Sequence, residues 1–166
     1  SNSNGTSYIM ALTYVSKSKD LTKATGDEVT DIPSDLPKVT RAKNGKPSIN
    51  MNGYKGSSKL VSQALIKGKG KEVTNNNTFK VKYTGWLLDG TQFDSSWDKN
   101  TTLEADTYSG GNHQVIEGWQ QAMVGQTVGS QVLMVIPPNL GYGSTAQGSI
   151  PANSTLIFVV DILATY

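Results

Sequence analysis

The 166-residue sequence contains no cysteine and a single histidine, His113. The absence of cysteine excludes disulfides, thiol nucleophiles and thiolate metal sites. His113 follows Gly-Gly-Asn, a context typical of a solvated loop rather than of a catalytic base. The sequence also lacks a phosphate-binding GxxxxGK[ST] motif and a calcium loop with its ligands at the required spacing. We therefore expect a function that needs no metal and no cofactor.

Charge and long apolar runs are also scarce. The net charge is only +2 and the lysines are scattered, which argues against nucleic acid as a partner. No run approaches the roughly 20 apolar residues of a membrane-spanning helix, so we expect no direct membrane span. The first residues, SNSNGTSYIMAL, lack the basic head and apolar core of a signal peptide and are typical of a domain interior. We interpret the sequence as a fragment of a longer chain.

The C-terminal two thirds of the chain contain the strongest structural patterns. In TFKVKY, Phe79, Val81 and Tyr83 alternate with lysines, which is the period of a half-buried strand. SQVLMVIP (130–137) and STLIFVVDIL (154–163) are nearly continuous apolar runs, typical of strands covered on both faces. VIEGWQQAMVG has helical spacing and a glycine that can end the helix. These patterns predict an α+β fold, a mostly antiparallel sheet with one short helix packed on it.

The N-terminal part differs in character. Residues 16–47 are polar without sustained periodicity, which predicts a linker or an extended arm, and residues 48–166 then form the main domain. NGTSYIMALTYV near the start is similar to NSTLIFVVDILA near the end, so we interpret residues 1–15 as the last strand of a preceding similar domain, with chance similarity as the alternative. Because an apolar sheet face needs a cover, we expect the arm to dock at least partly on the outer face. That face is formed by Leu133, Val135, Ile157 and Val159.

Five aromatic residues come from separate segments, each beside a glycine turn or at a strand position: Tyr83, Phe93, Trp119, Tyr142 and Phe158. Any one of them alone is most simply a core residue. Tryptophan and tyrosine are, however, rarely buried completely, because their polar atoms need partners. LGYGS and SIPANST are loop sequences, and apolar residues in loops often form binding surfaces. A shared binding surface is therefore the competing hypothesis.

Four motifs carry a resemblance to a known family. They are VKYTGWLLDGTQFDSSW, QVIEGWQQAMVGQTVGS, IPPNLGYG and IPANSTLIFVVDIL, in that order along the chain. On these motifs residues 59–166 resemble the FK506-binding-protein family of peptidyl-prolyl cis–trans isomerases, and in particular a C-terminal domain of a bacterial multi-domain member. The resemblance implies a strongly bent antiparallel sheet wrapped around one short helix, with an apolar active-site cavity between them.

The resemblance also implies roles for individual residues. The expected catalytic set is Tyr83, Phe93, Asp94, Trp119, Tyr142 and Phe158. The expected substrate contacts are Leu103, Val115, Ile116 and Ile150. In this arrangement Trp119 is the floor under the proline ring, and the phenol of Tyr142 comes from a mobile loop.

Three positions depart from the family pattern. Leu103 stands where an aromatic wall residue is usual, Gln147 replaces a frequent histidine, and Lys99 falls where an arginine is common. None of these changes removes the expected catalytic set. We therefore expect an isomerase that accelerates X–Pro rotation in polypeptides and assists protein folding, with altered preference before proline. A non-catalytic module that only binds proline-containing partners is the alternative, and a metal-linked chaperone fits poorly.

The resemblance extends to partners and location. It implies proline-containing polypeptides as substrates and some affinity for macrolides of the FK506 and rapamycin type. Tandem domains joined by polar, proline-bearing linkers resemble envelope-associated bacterial members of the family. We therefore expect an extracytoplasmic location, with a cytoplasmic one as the alternative.

Overall fold

An antiparallel sheet dominates the computed structural model, which describes residues 21–166. The predicted strand of a preceding domain, residues 1–15, and the first residues of the arm lie outside the described residues. Within residues 21–166 there are nine strands and one α-helix. The strands are β1 (Asp27–Glu28), β2 (Lys38–Arg41), β3 (Pro47–Asn50), β4 (Val61–Lys67), β5 (Thr78–Leu87), β6 (Gln92–Ser95), β7 (Leu103–Asp106), β8 (Gln131–Ile136) and β9 (Leu156–Thr165). The α-helix is α1 (Glu117–Met123), and a 3₁₀ turn covers Pro138–Leu140.

Seven strands form one sheet in the order β1-β4-β8-β9-β5-β6, with β7 also paired to β5. Every pair in this sheet is antiparallel. Strands β2 and β3 form a separate antiparallel hairpin. The α+β fold predicted from the sequence is confirmed.

The strand patterns explain which side chains face inward. In β5 the side chains of Phe79, Val81 and Tyr83 are buried, while the lysines between them are only half-buried. Strands β8 and β9 are buried along almost their whole length, as continuous apolar runs predict. Their pairing places Phe158 opposite Met134 and, on the other side, opposite Gly85. One face of β9 therefore supplies the inner core, and the other supplies an outer core.

The helix is shorter than its sequence pattern. It begins at Glu117 because Ile116, with ψ of 152°, is still extended. Val115 and Ile116 thus precede the first turn rather than lie on the helix. Gly118 allows close packing on the sheet, since an added Cβ would lie 2.6 Å from Cγ2 of Ile136. After the helix, Gly125 adopts φ of +94°, which favours glycine at a helix end.

The outer face of the sheet is covered by the arm, here residues 21–47. Leu36 is 5% exposed and belongs to an outer apolar cluster with the sheet residues predicted for that face. Ile32 and Val39 of the arm and Ile49 just beyond it pack against the same cluster. The expectation that the arm docks on this face is confirmed. The predicted domain boundary at 47–48 falls within β3 of the hairpin, so the hairpin joins the arm to the domain.

A polar network also ties the arm to the sheet. Asp161 of β9 is 1% exposed, and burial raises the pKa of its carboxyl group, against the lowering effect of its hydrogen-bond partners and of nearby Arg41 and Lys82. Its Oδ1 accepts from Nε2 of Gln131 at 2.8 Å, and its Oδ2 accepts from the backbone N–H of Ala24 at 2.8 Å. Arg41 donates from Nε to Oε1 of Gln131 at 2.8 Å. The buried carboxyl group thus has partners on both oxygens, one of which is the arm itself.

We predict that Leu36→Ala destabilises the protein by about 2 kcal/mol or more, because the substitution leaves a cavity between arm and sheet. Thr30→Ala, at an exposed position on the same arm, is the matched control and should stay within about 0.5 kcal/mol of wild type. Urea unfolding of the two variants measures the difference. Equal stability of both variants would show that the arm contributes little to folding.

Candidate active site

A cavity of about 510 Å³ opens between the start of α1 and the inner face of the sheet. It is lined by Tyr83, Phe93, Asp94, Leu103, Gln114, Val115, Ile116, Trp119, Tyr142 and Phe158. These residues come from β5, β6, β7, β9, α1 and two loops. The cavity therefore forms only when these four strands and the helix have come together.

Four aromatic rings form the apolar part of the cavity. The Trp119 ring lies edge-on to Tyr83, with centroids 5.5 Å apart, and edge-on to Phe158 at 5.2 Å. Phe93 meets Phe158 in the same way, at 5.5 Å and an interplanar angle of 88°. An edge-to-face contact between two rings contributes stabilisation in addition to that from burying their apolar surface. The four rings thus form one packed apolar surface.

The backbone of β5 leaves room for these rings at Gly85. A Cβ added there would lie 2.7 Å from Cε1 of Phe158 and 2.7 Å from Cζ of Phe93. Real Cβ atoms do not make such contacts with ring atoms, so a larger residue would displace one ring or both. The glycine in YTGW is therefore required by the shape of the cavity.

Asp94 provides the charge at the edge of the cavity. Its Oδ2 accepts a hydrogen bond from Oη of Tyr83 at 2.5 Å, and its Oδ1 accepts from the backbone N–H of Ser95 at 2.9 Å. Nζ of Lys99 lies 3.0 Å from Oδ1. The carboxylate is thus held from three sides.

These contacts shift the ionisation of the groups around Asp94. Partial burial of Asp94 acts to raise its pKa, but the hydrogen bonds from Tyr83 and Lys99 and the charge of Lys99 outweigh burial and lower it. Burial, followed by the hydrogen bond to Asp94, raises the pKa of Tyr83 well above its usual range. Burial and then the charge of Asp94 also raise the pKa of Tyr142. At neutral pH the site therefore holds one carboxylate and two neutral phenols.

Tyr142 lines the cavity from the loop after the 3₁₀ turn. Its side chain is 38% exposed, more than the other aromatic residues of the site. Backbone hydrogen bonds from the N–H groups of Gly141 and Gly143 to the carbonyl of Pro138 shape the loop, at 3.0 and 2.8 Å. The tyrosine is therefore accessible to a ligand.

All the site residues predicted from the sequence line this cavity except Ile150. Ile150 is 6% exposed and lies in the inner core cluster, and its backbone exchanges hydrogen bonds with that of Gln147 at 2.8 and 2.9 Å. Gln114 lines the cavity and was not predicted. Its only signal in the sequence is its place directly before Val115. The roles assigned to the individual residues stay predictions.

In the part of the chain that the structure describes, no group of three or more His, Asp or Glu residues could hold a metal ion. His113 is 42% exposed and lies 3.7 Å from Glu104 and 3.8 Å from Asp106, measured between side-chain nitrogen and oxygen atoms. The carboxylates of Glu104 and Asp106 thus lie beside the loop that precedes Val115, and not beside the aromatic rings of the cavity.

Comparison with known proteins agrees with this geometry. A protein named FK506-binding protein from Neisseria meningitidis serogroup A is 42% identical over 108 residues, covering 64% of this chain and 96% of the relative. FK506-binding protein 2 of Dictyostelium discoideum is 42% identical over 117 residues, covering 68% of this chain and 84% of the relative.

Longer bacterial proteins are similar over more of the chain. An FKBP-type peptidyl-prolyl cis–trans isomerase, FkpA of Aeromonas hydrophila, is 36% identical over 143 residues, covering 83% of this chain and 52% of the relative. The crystal structure of FkpA from Escherichia coli superposes with a TM-score of 0.58 at 31% identity, covering 76% of this chain and 51% of that one. The chain thus spans about half the length of the FkpA proteins it matches, as expected for similarity to part of a multi-domain member.

The family model for FKBP-type peptidyl-prolyl cis–trans isomerases matches residues 69–163, which include every residue lining the cavity. The match covers more than half of the chain. The chain therefore belongs to the FKBP-type peptidyl-prolyl cis–trans isomerase family.

Proposed function

We propose that this chain accelerates rotation about X–Pro bonds by binding the twisted amide in the aromatic cavity. The observation that carries the proposal is the packed set of edge-to-face rings beside one hydrogen-bonded carboxylate. Unaided rotation faces a barrier of about 18–20 kcal/mol and takes tens to hundreds of seconds. No bond to a substituent is broken, so neither a nucleophile nor a redox group is required.

The apolar rings lower this barrier through the solvation of the amide. Resonance in the planar amide separates charge between the carbonyl oxygen and the nitrogen. Water stabilises that planar state, an aromatic cavity stabilises it less, and the twisted state loses little on leaving water. A thousandfold acceleration needs about 4 kcal/mol of preferential binding to the twisted amide. Burial of a proline ring against the cavity walls, together with one or two hydrogen bonds, contributes binding free energy of that order.

The geometry suggests how a peptide binds. The proline ring rests on Trp119, between the walls formed by Phe93 and Phe158. Ile116 precedes the first helical turn, so its backbone N–H lies outside the helical hydrogen bonds and can donate to a substrate carbonyl. The hydroxyl of Tyr142, an exposed residue, can donate to a second one. Two donors on opposite sides of the cavity would hold the peptide while the amide between them rotates.

Asp94 acts through its charge in this proposal. Its lowered pKa keeps it ionised at neutral pH, and an ionised carboxylate has no proton to donate to the amide nitrogen. It fixes the hydroxyl of Tyr83 and presents a negative field to the rotating carbonyl group. The positive charge of Lys99 partly offsets that field.

Proline-containing polypeptides are the proposed substrates, and assistance to protein folding is the proposed role. Macrolides of the FK506 and rapamycin type would occupy the same cavity, as the names of the relatives suggest. Leu103 is partly buried at the cavity wall and is smaller than an aromatic residue, so this wall is open to bulky groups before proline. The altered preference before proline follows from that opening.

An extracytoplasmic location remains a proposal, based on similarity to longer bacterial members. Among residues 21–166, no helix has the length and apolar character needed to cross a membrane. Fractionation of cells that express the full-length protein is the direct test. Recovery in the cytoplasm would favour the alternative location.

We predict that the wild-type chain accelerates cis–trans exchange in a series of X–Pro tetrapeptides, measured with a coupled protease. Asp94→Ala should lower kcat/KM about tenfold and Phe158→Ala about tenfold to a hundredfold, which correspond to about 1.4 and 1.4–2.8 kcal/mol. Val124→Ala, at an exposed apolar position just after the helix, is the control and should retain wild-type activity.

Folding of each variant is checked by circular dichroism, because Phe158 is also a core residue. Phe158→Leu, which keeps an apolar side chain, provides a milder second substitution at that site. If the folded wild type binds these peptides without accelerating exchange, the enzyme proposal is wrong and the protein is a non-catalytic binding module.

The pKa shifts predict how activity depends on pH. A lowered pKa keeps Asp94 ionised at all pH values above the usual Asp range, and a raised pKa keeps Tyr83 protonated to above the usual Tyr value. We therefore expect kcat/KM to be constant between about pH 5 and pH 9 and to fall only when Asp94 takes up a proton below that range. NMR exchange spectroscopy measures this without a protease. An inflection near neutral pH that disappears in Asp94→Asn would contradict the assignment.

A further inference from the structure

The turn that follows β6 carries Lys99, the partner of the active-site carboxylate. The backbone N–H of Thr101 donates to the carbonyl of Ser96 at 3.1 Å and closes the 96–101 turn. Nζ of Lys99 lies 3.0 Å from Oδ1 of Asp94 and 6.0 Å from the ring centroid of Tyr83. The position of this ammonium group therefore depends on the position of the turn.

The arm holds the same turn through an ion pair. Nζ of Lys46 lies 2.6 Å from Oδ1 of Asp98, and both side chains are partly shielded, at 30% and 48% exposure. The second oxygen of Asp98 accepts from Nε2 of Gln92 at 2.9 Å. Gln92 begins β6, the strand that contains Asp94. Asp98 thus connects the arm to the strand of the active-site carboxylate.

The arm also packs on the turn through Trp97. Gly45 is buried with φ of +103°, and an added Cβ would lie 2.9 Å from Cη2 of the Trp97 ring. Lys82 places its Nζ 4.7 Å from the centroid of the same ring and donates to the carbonyl oxygen of Thr22 at 2.8 Å. The hairpin that ends the arm therefore approaches Trp97 directly, and Thr22 near the start of the described arm is connected to Trp97 through the side chain of Lys82.

None of the residues lining the cavity belongs to the arm. The arm can therefore influence the reaction only indirectly, and the turn is its connection to Lys99 and Asp94. We propose that the arm is a positioning element of the active site, in which Lys46 and Gly45 hold the 96–101 turn so that Lys99 stays on the Asp94 carboxylate. The inference rests on the proposed function for its effect on rate, but its structural effect on Asp94 can be measured without any activity.

The first measurement is the titration of the Asp94 side-chain carboxyl carbon by NMR. Asp94 faces Tyr83 from β5, Lys99 from the turn and Tyr142 from the opposite loop, and the first two hold its pKa below the usual range. In Lys46→Met the turn loosens and Lys99 moves away, so the pKa of Asp94 should rise toward the usual Asp value. Lys46→Arg keeps a cation of similar reach and should restore the wild-type titration.

Two variants separate positioning from the direct effect of charge. Lys43→Met removes a positive charge from an exposed position of the same hairpin and should leave the titration unchanged. Asp98→Ala removes a nearby negative charge, which acts directly to lower the pKa of Asp94, whereas loss of positioning raises it. A rise in the pKa of Asp94 in the Asp98→Ala variant therefore supports positioning. A fall in this pKa, or no change, overturns it.

The second measurement is kcat/KM for an X–Pro peptide in the same variants. Lys46→Met should lose about two- to fivefold, the range expected for a partly exposed ion pair, while Lys43→Met and Lys46→Arg should keep the wild-type value. If the wild type is active and Lys46→Met matches it in both titration and rate, the inference is wrong. If the wild type is inactive but the Asp94 titration shifts as described, the positioning inference holds and the proposed function fails.

Discussion

Strands β8 and β9 carry apolar side chains on both faces, and each face has to be kept from water. The inner face is covered by the single helix of residues 21–166, which leaves the cavity at its N-terminal end. The outer face is covered by the arm, whose Leu36 is buried in the contact. The arm is therefore required by the same buried strands that form the back of the active site. Because one sheet supports both, a change in the docking of the arm can reach the reaction.

In the proposed mechanism the rate acceleration follows from the shape of the cavity and from desolvation rather than from reactive groups. Gly85 leaves space for two rings, and Trp119 closes the floor against Tyr83 and Phe158. We propose that this packed apolar surface binds the twisted amide in preference to the planar one. The single carboxylate at the edge is fixed by a phenol and an ammonium group, so its orientation is determined before a substrate binds.

Local periodicity was sufficient to predict three of the nine strands of residues 21–166, namely β5, β8 and β9, together with their inward-facing residues. The other strands, including the hairpin of β2 and β3 at the end of the polar arm, have no such pattern and were not predicted. The cavity residues were predicted from motifs, since the rings meet only after distant segments come together. The start of the helix could not be read from spacing, because Ile116 has an apolar side chain on the helical period but an extended backbone. Lys46 and Asp98 are 52 positions apart in a polar region without periodicity, so no sequence pattern indicated that they pair. Gln114 was missed for a similar reason, as a polar residue next to the apolar pair that the motif identifies.

The solvent isotope effect on kcat/KM, measured by NMR exchange in H₂O and D₂O, tests the central claim most directly. If the amide rotates in a desolvating cavity beside an ionised Asp94, no proton moves in the transition state and the ratio should be close to one. A ratio of about two or more, abolished in Asp94→Asn, would mean that a proton is transferred to the amide. That result would contradict the account and make Asp94 a general acid.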